Sequence, residues 1–218
     1  MLHDKPPSIC RLAVLDYKRY STTFLPNIET AYAKPSASKD AMEALKLLIA
    51  NVKDRTQREE AMAQFARLQG ATQNGRWQPA ATGLMLEFAC TSEAKMVDDL
   101  IPSMPLWIDV LYDDWEESHA IAVQEFFAYL PDHTIHWAST TDSWRAVVGP
   151  DKLDAVATAM GSLTPRQFQK KLSAAEDGDI FDSEEAEHIA AWWGDIRSVV
   201  RAARREEAGI LVTISERK

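Results

Sequence analysis

The strongest pattern in the sequence is an apolar stripe in the last third, where large side chains recur every three or four residues. The stripe consists of Ile189, Trp192, Trp193, Ile196, Val199, Val200 and Ala203. This spacing predicts one long α-helix with a buried face. Asp182, followed three residues later by Glu185, has the pattern of a capping box at the helix start. Gly209 is predicted to end the helix, and the apolar run 210–214 is predicted to be a closing strand.

Similar hydrophobic periodicities predict the elements of most of the remaining chain. Helices are predicted over residues 41–52, 57–68, 116–130, 150–160 and 165–172, with a short helix starting at Ser92. Strands are predicted over 11–15, 106–112 and 134–137, with a helix left open for 106–112 and both states left open for 84–88. This mixture predicts an α+β fold, a helix-rich single domain over residues 1–218 with a small mixed or antiparallel sheet. A candidate internal boundary lies near residues 140–150.

The N-terminal residues, the apolar runs and the cysteines indicate in which cellular compartment the protein is expected. The first residues lack the basic region and apolar core of a secretory signal. Apolar runs are broken within about ten residues, which is too short to cross a bilayer. Cys10 and Cys90 are far apart, lie in apolar surroundings and form no Cys-x-x-Cys motif, so we expect two buried free thiols. These features predict a soluble cytoplasmic protein.

Acidic residues are concentrated in one stretch, which we call the acidic segment. Residues 96–144 contain ten acidic residues and no Lys or Arg, whereas the whole chain has a net charge of -9. Aromatic residues are interleaved with these acids: Trp107, Tyr112, Trp115, Phe126, Phe127, Tyr129, Trp137 and Trp144. A surface of this kind is typical of an interface with a basic partner. The alternative is a solvated acidic face above buried aromatics. A second acidic run, 176–187, holds seven acids and no base.

The C-terminal third carries a resemblance to a known family. It contains Val148-Gly149-Pro150, then the stretch Leu-Thr-Pro-Arg-Gln-Phe at 163–168, an acidic loop, a long helix, Glu207-Ala208-Gly209 and a terminal apolar strand. In this order of motifs the region 145–215 resembles the bacterial YfbM-like family, domain of unknown function 1877. The resemblance implies a compact bacterial cytosolic α+β protein. It implies no activity and no catalytic residues.

From these observations we expect a non-enzymatic bacterial binding protein with no cofactor and no metal. The most concrete expectation is an immunity protein that neutralises a basic toxin, for example one that acts on nucleic acids. The candidate partner-binding residues are Asp109, Asp113, Asp114, Trp115, Glu116 and Glu117. The expected partner is a protein with a basic surface. The negative charge argues against direct binding to nucleic acid, and no membrane partner is expected.

Two other functions stay open at this point. His119, His133 and His136, with nearby carboxylates, would suit a small metal-dependent or small-molecule-processing enzyme. A structural or regulatory homo-oligomer would use Trp192 and Trp193 as an interface. Short motifs for nucleotide binding or for an esterase nucleophile do not occur.

A cluster of arginines on the last predicted helix has two interpretations. Its members are Arg197, Arg201, Arg204 and Arg205. They could contact a phosphate, or they could complement the helix dipole near its C-terminus.

Overall fold

The computed structural model describes residues 8–33, 39–74, 76–98, 121–126, 134–174 and 181–216. Its strands are β1 (Ser8–Leu15), β2 (Thr91–Asp98), β3 (Ser143–Val148) and β4 (Gly209–Glu216). They form one antiparallel sheet in the order β2-β1-β4-β3. β1 and β4 are therefore the central strands, and β2 and β3 lie outside them.

Helices make up most of the remaining described residues. They are α1 (Tyr17–Arg19), α2 (Leu25–Ala33), α3 (Lys39–Ala50), α4 (Arg55–Gln73), α5 (Pro79–Cys90), α6 (Pro150–Ser162), α7 (Pro165–Ala174) and α8 (Ser183–Arg205). A π-helix, Tyr20–Phe24, joins α1 to α2, a 3-10 helix covers His136–Ala138, and residues 121–126 are helical. The predicted helix-rich α+β fold class is confirmed. Within the described ranges, no helix is both long enough and apolar enough to cross a membrane.

One face of the sheet is apolar on its strands β1, β3 and β4, and we call it the apolar face. It presents Cys10, Leu12, Val14, Ala146, Val148, Ile210, Val212 and Ile214, which alternate with residues of the other face because successive strand side chains point to opposite sides. On β2, Lys95 lies opposite Leu12 and pairs with Asp195 of α8 at 3.4 Å. This face packs against a helical layer built from α6, α7 and α8. The core between them includes Phe168 and Trp193, whose rings are 4.8 Å apart between centroids.

The opposite face carries charge, and we call it the ionic face. It presents Arg11, Thr213 and Arg145 in one row across three strands, because Thr213 lies opposite both arginines in the register. A second helical layer covers this face. It is built from the π-helix and α2 to α5 around a separate apolar core that includes Phe24 and Met85.

The long C-terminal helix confirms the prediction from the apolar stripe, but its end differs. α8 begins with the predicted capping box of Asp182 and Glu185. It ends at Arg205, and the left-handed residue that reverses the chain is Glu207, with φ 51°, so the prediction that Gly209 ends the helix was wrong. Gly209 instead starts β4, where a Cβ would lie 2.7 Å from the Val148 carbonyl oxygen.

Both tryptophans of α8 belong to the chain's own core. Trp192 and Trp193 are buried, and the Trp193 Nε1–H donates to the Leu163 carbonyl oxygen at 2.9 Å. These two side chains are therefore not available as the interface of a homo-oligomer.

Several local predictions are corrected by the structure. The segment starting at Ser92 was predicted to be helical but forms β2, because pairing with β1 outweighs the helix preference of its Glu, Ala and Lys residues. Residues 84–88 belong to a helix, α5. α4 continues through Gly70, which was predicted to end it. Thr134 makes a single bridge to Ala146 instead of starting a strand over 134–137. The predicted segments at 106–112, 116–120 and 127–130 lie outside the described residues.

Candidate functional site

All six predicted partner-binding residues lie outside the part of the chain that the structure describes. They are Asp109, Asp113, Asp114, Trp115, Glu116 and Glu117. The structure does describe both ends of the acidic segment and two stretches within it. It therefore shows how the segment is attached to the rest of the fold.

The acidic segment leaves and rejoins the sheet at the same end, which we call the segment end. β2 finishes with Asp98 opposite Ile9, near the start of β1. β3 begins with Ser143 opposite Ser215, near the finish of β4. Since β1 and β4 are antiparallel neighbours, the two attachment points lie at one end of the sheet, on its two outer strands.

Two stretches inside the acidic segment are fixed to the scaffold. In the helical residues 121–126, Val123 and Phe126 are buried in the core under the apolar face, whereas Glu125 is exposed. Further along, the Ile135 amide donates to the Arg145 carbonyl oxygen at 2.7 Å, and the Trp77 indole donates to the Trp137 carbonyl oxygen at 2.9 Å. Some apolar side chains of the segment thus face the core while an acid faces solvent.

Part of the second acidic run has a structural role. The Asp182 carboxylate accepts hydrogen bonds from the amides of Glu184 and Glu185, each at 2.8 Å. The Glu185 carboxylate accepts in return from the Asp182 amide at 3.2 Å. Negative charge near a helix N-terminus is stabilising, because it opposes the helix dipole. Residues 176–180 lie outside the described ranges.

The histidines predicted as an alternative metal site are not brought together in the described structure. His119 and His133 fall in the undescribed ranges, and His136 is exposed at the start of the 3-10 helix. Among the described residues, no group of three or more His, Cys, Asp or Glu side chains is arranged to hold a metal ion.

Both cysteines are buried free thiols, as predicted. Burial raises the pKa of Cys10 and of Cys90 to about 12. For Cys90, Arg19 opposes this shift and Asp16 adds to it, both in smaller measure. Since the thiolate is the nucleophilic form, neither residue is activated for covalent chemistry.

The ionic face carries a buried cluster that the sequence did not predict. Glu87 of α5 accepts from Arg145 Nε at 2.8 Å and Nη2 at 2.7 Å, and from Arg11 Nη1 at 2.5 Å. Thr213 donates its hydroxyl to the same carboxylate at 3.3 Å. The remaining Arg145 nitrogen, Nη1, donates to the Ala138 carbonyl oxygen at 2.8 Å. Glu87 thus ties α5 to three strands.

This cluster is structural, because its buried members are already satisfied. Glu87, Arg145 and Thr213 are each no more than 6% exposed. Gly83 makes the room, since a Cβ there would lie 2.5 Å from the Arg145 guanidinium carbon and 2.6 Å from the Ala138 carbonyl oxygen. The signal in the sequence was a lone Glu in an otherwise apolar helix and a lone Arg in an apolar strand.

The arginine cluster of α8 is largely bound to its own chain. Arg197 Nη2 donates to the Gly161 carbonyl oxygen at 3.1 Å, near the end of α6. Arg204 pairs with Asp154 at 2.8 Å, and Arg205 pairs with Glu206 at 3.2 Å. Burial, with a smaller contribution from the charge of Arg201, lowers the pKa of Arg197. These contacts favour the structural interpretation over a phosphate contact.

At the other end of the sheet lies a cleft of about 720 Å³, which we call the end cleft. Four chain junctions surround it: β1 to α1, α3 to α4, α5 to β2, and α8 to β4. Val14, Val52, Phe88, Ala89 and Ala208 give it apolar lining. Its volume is in the range of small-molecule sites.

Charged residues of both signs line the end cleft, and the three basic ones lie on the wall opposite Glu206 and Glu207. On the basic wall, Lys18 and Arg19 belong to α1 and Lys53 lies between α3 and α4. On the acidic wall, Glu206 and Glu207 directly follow α8. Asp16 and Asp54 also line the cleft, but their carboxylates accept backbone amides at the starts of α1 and α4. The basic wall therefore holds three bases and two acids, a net charge of +1, whereas the acidic wall holds two acids and no base.

Two unusual backbone features border the end cleft. Glu207 adopts the left-handed conformation that costs a non-glycine residue about 1–2 kcal/mol. Directly after Arg19, the chain forms the π-helix Tyr20–Phe24. Strained residues and π-helical turns are enriched at functional sites. The end cleft is accordingly a second candidate site, and no pattern in the sequence predicted it.

Comparison with known proteins gives no relative from which a function could be transferred. No family model matches the chain, and no curated protein or solved structure is significantly similar to it. The resemblance of the C-terminal third to the YfbM-like family stays a prediction.

Proposed function

We propose that the protein is a non-enzymatic, cytoplasmic binding protein, most specifically an immunity protein that neutralises a basic toxin. The observation that carries this proposal is the charge distribution. The acidic segment has ten acids and no base, and the rest of the chain is close to balanced. Uncompensated like charges repel one another, so clustering them gains nothing for folding and suits a basic partner.

The attachment of the acidic segment supports this proposal. Both of its ends lie at the segment end of one sheet, and Val123, Phe126 and Ile135 within its described stretches are buried in the core. The arginine that follows the segment, Arg145, is buried and pairs with Glu87, so its charge is already balanced within the core. The stretches of the segment that the structure describes are thus anchored to the core, which supports its use as a binding surface.

A growth-rescue assay tests this function. The product of the neighbouring gene is expressed in a bacterium with and without this protein, and we expect the neighbour to be toxic and this protein to restore growth. Toxicity without rescue, or a harmless neighbour, contradicts the proposal.

The same assay tests the binding residues. The triple variant Asp113→Lys, Asp114→Lys and Glu116→Lys should lose rescue, because it places three positive charges against a basic partner. The matched control reverses three exposed acids on α2, α3 and α4, namely Glu29, Glu43 and Glu60. The control should rescue like the wild type. Equal loss in both variants would mean that net charge, and not this surface, matters.

A further inference from the structure

We infer that the end cleft binds a small zwitterion of the amino-acid or short-peptide class, with its carboxylate toward Lys18, Arg19 and Lys53 and its ammonium group toward Glu206 and Glu207. This site is independent of the proposed function, because it lies at the end of the sheet opposite the segment end. Binding to the cleft and binding to a toxin can therefore succeed or fail separately.

The basic wall offers groups that can reach a carboxylate. Lys18 and Lys53 are exposed, and no ion pair joins either to a described residue. Arg19 is held in place by a hydrogen bond from its Nη2 to the Leu48 carbonyl oxygen. α4 starts in the same wall with Asp54 as its N-cap, and Gln57 of its first turn lines the cleft. The Asp54 carboxylate accepts from the Gln57 amide at 2.8 Å and so caps this helix end, which leaves Lys18, Arg19 and Lys53 as the groups that attract an anion.

The acidic wall lies at the C-terminal end of a helix. Glu206 and Glu207 directly follow α8, a helix of 23 residues whose C-terminal carbonyl groups carry partial negative charge. The chain reversal is closed by the Ala208 amide, which donates to the Ala203 carbonyl oxygen at 2.8 Å. This fixes the backbone on which Glu207 sits. Glu206 forms an ion pair with Arg205 at 3.2 Å, and Arg205 does not line the cleft.

The two walls together select for a ligand with two charges of opposite sign. A simple anion would face two glutamates and a helix C-terminus on the acidic wall, and a simple cation would face three basic side chains on the other wall. The apolar lining, which includes Val14, Val52 and Phe88, suits a ligand with a hydrocarbon side chain. Amino acids and short peptides with apolar side chains have this combination of groups.

Three forms of one dipeptide test the inference on the full chain. The probes are glycylleucine, its N-acetyl derivative and its C-terminal amide, each titrated by calorimetry and by amide shifts in nitrogen-proton correlation spectra. The zwitterion should bind and shift the amides of Lys18, Lys53 and Glu207. Each blocked form should bind about tenfold more weakly, which corresponds to one lost charged contact.

Paired variants then assign each wall. In the variant Lys18→Gln with Lys53→Gln, the C-terminal amide should bind as tightly as the zwitterion. The N-acetyl derivative should still bind more weakly than the zwitterion. In the variant Glu206→Gln with Glu207→Gln, the N-acetyl derivative should bind as tightly as the zwitterion, and the C-terminal amide should still bind more weakly. The matched control, Lys152→Gln with Lys170→Gln, alters two exposed lysines away from the cleft and should leave all three affinities within about twofold.

Three results would overturn the inference. One is the lack of any glycylleucine binding at about 10 mM, a weak-affinity limit for a ligand of this size. Another is equal binding of the three forms, which would mean that the charges do not contribute. The third is binding of the N-acetyl form as tightly as the zwitterion, which would make the cleft a site for organic anions instead.

Discussion

The two faces of the sheet each pack against a layer of helices, but through different kinds of contact. On the apolar face, side chains such as Leu12 and Val212 contact a layer of helices through apolar packing. On the ionic face, Arg11 and Arg145 contact helix α5 through a single carboxylate, that of Glu87. The two sets alternate along the same strands, one residue apart. The apolar face should therefore tolerate exchanges that keep volume, whereas the ionic face should fail when any buried partner is removed.

The largest expected effect is the loss of the Glu87 carboxylate. Glu87→Leu leaves Arg145 buried without its counter-charge, and we expect the free energy of unfolding to fall by about 3–5 kcal/mol. Urea denaturation followed by tryptophan fluorescence measures this change.

The matched substitution on the apolar face is Leu12→Met. It keeps the side-chain volume in a fully buried position, so the expected loss is below about 1.5 kcal/mol. If the free energy of unfolding falls equally in Glu87→Leu and Leu12→Met, the ionic face is no more sensitive to substitution than the apolar face. The combined change Glu87→Leu and Arg145→Met should recover part of the loss, because it removes the unpaired buried charge.

A smaller effect is expected at the glycine that makes room for the cluster. Gly83→Ala forces a methyl group against the Arg145 guanidinium, and we expect a loss of about 1–3 kcal/mol. Gly70→Ala is the control: it lies in α4 with nothing within 4 Å of its Cβ position, so it should gain up to about 1 kcal/mol from helix preference. Thermal unfolding of both variants would show opposite shifts of Tm. A Tm of Gly83→Ala at or above the wild-type value would contradict the tight fit.

The smallest effect is expected at the acidic wall of the end cleft. Glu207→Gly removes the strain of a left-handed non-glycine residue and should stabilise the fold by roughly 0.5–1 kcal/mol. Glu206→Gly is the adjacent control, because its φ of -94° is ordinary and a glycine there should destabilise slightly. Chemical denaturation of the pair checks the sign. Destabilisation by Glu207→Gly would mean that its side chain contributes more than the strain costs.

Sequence patterns predicted correctly those elements that are determined by neighbouring residues. The stripe through Ile196 and the capping box at Asp182 define α8 by spacing alone, and the fold class follows from such segments. β2 was mistaken for a helix because its residues have no strong strand preference, and only pairing with β1 makes them extended.

The candidate sites depend on contacts between distant parts of the chain. Glu87 meets Arg145 from 58 residues away and Thr213 from 126 residues away, so no sequence spacing indicates the cluster. The end cleft likewise forms where four chain junctions meet. The acidic segment was evident from composition because charge can be counted without knowing the fold.

The most direct test of the proposed function is the salt dependence of association with the purified product of the neighbouring gene. Stopped-flow mixing at several ionic strengths measures the association rate of the wild type and of the Asp113, Asp114 and Glu116 reversal variant. Electrostatic steering accelerates association by roughly 10- to 1000-fold and weakens steeply with salt. We predict a steep decrease with salt for the wild type and a slower, nearly salt-independent rate for the variant. Identical rates and slopes for the two proteins would contradict a role for the acidic segment in binding.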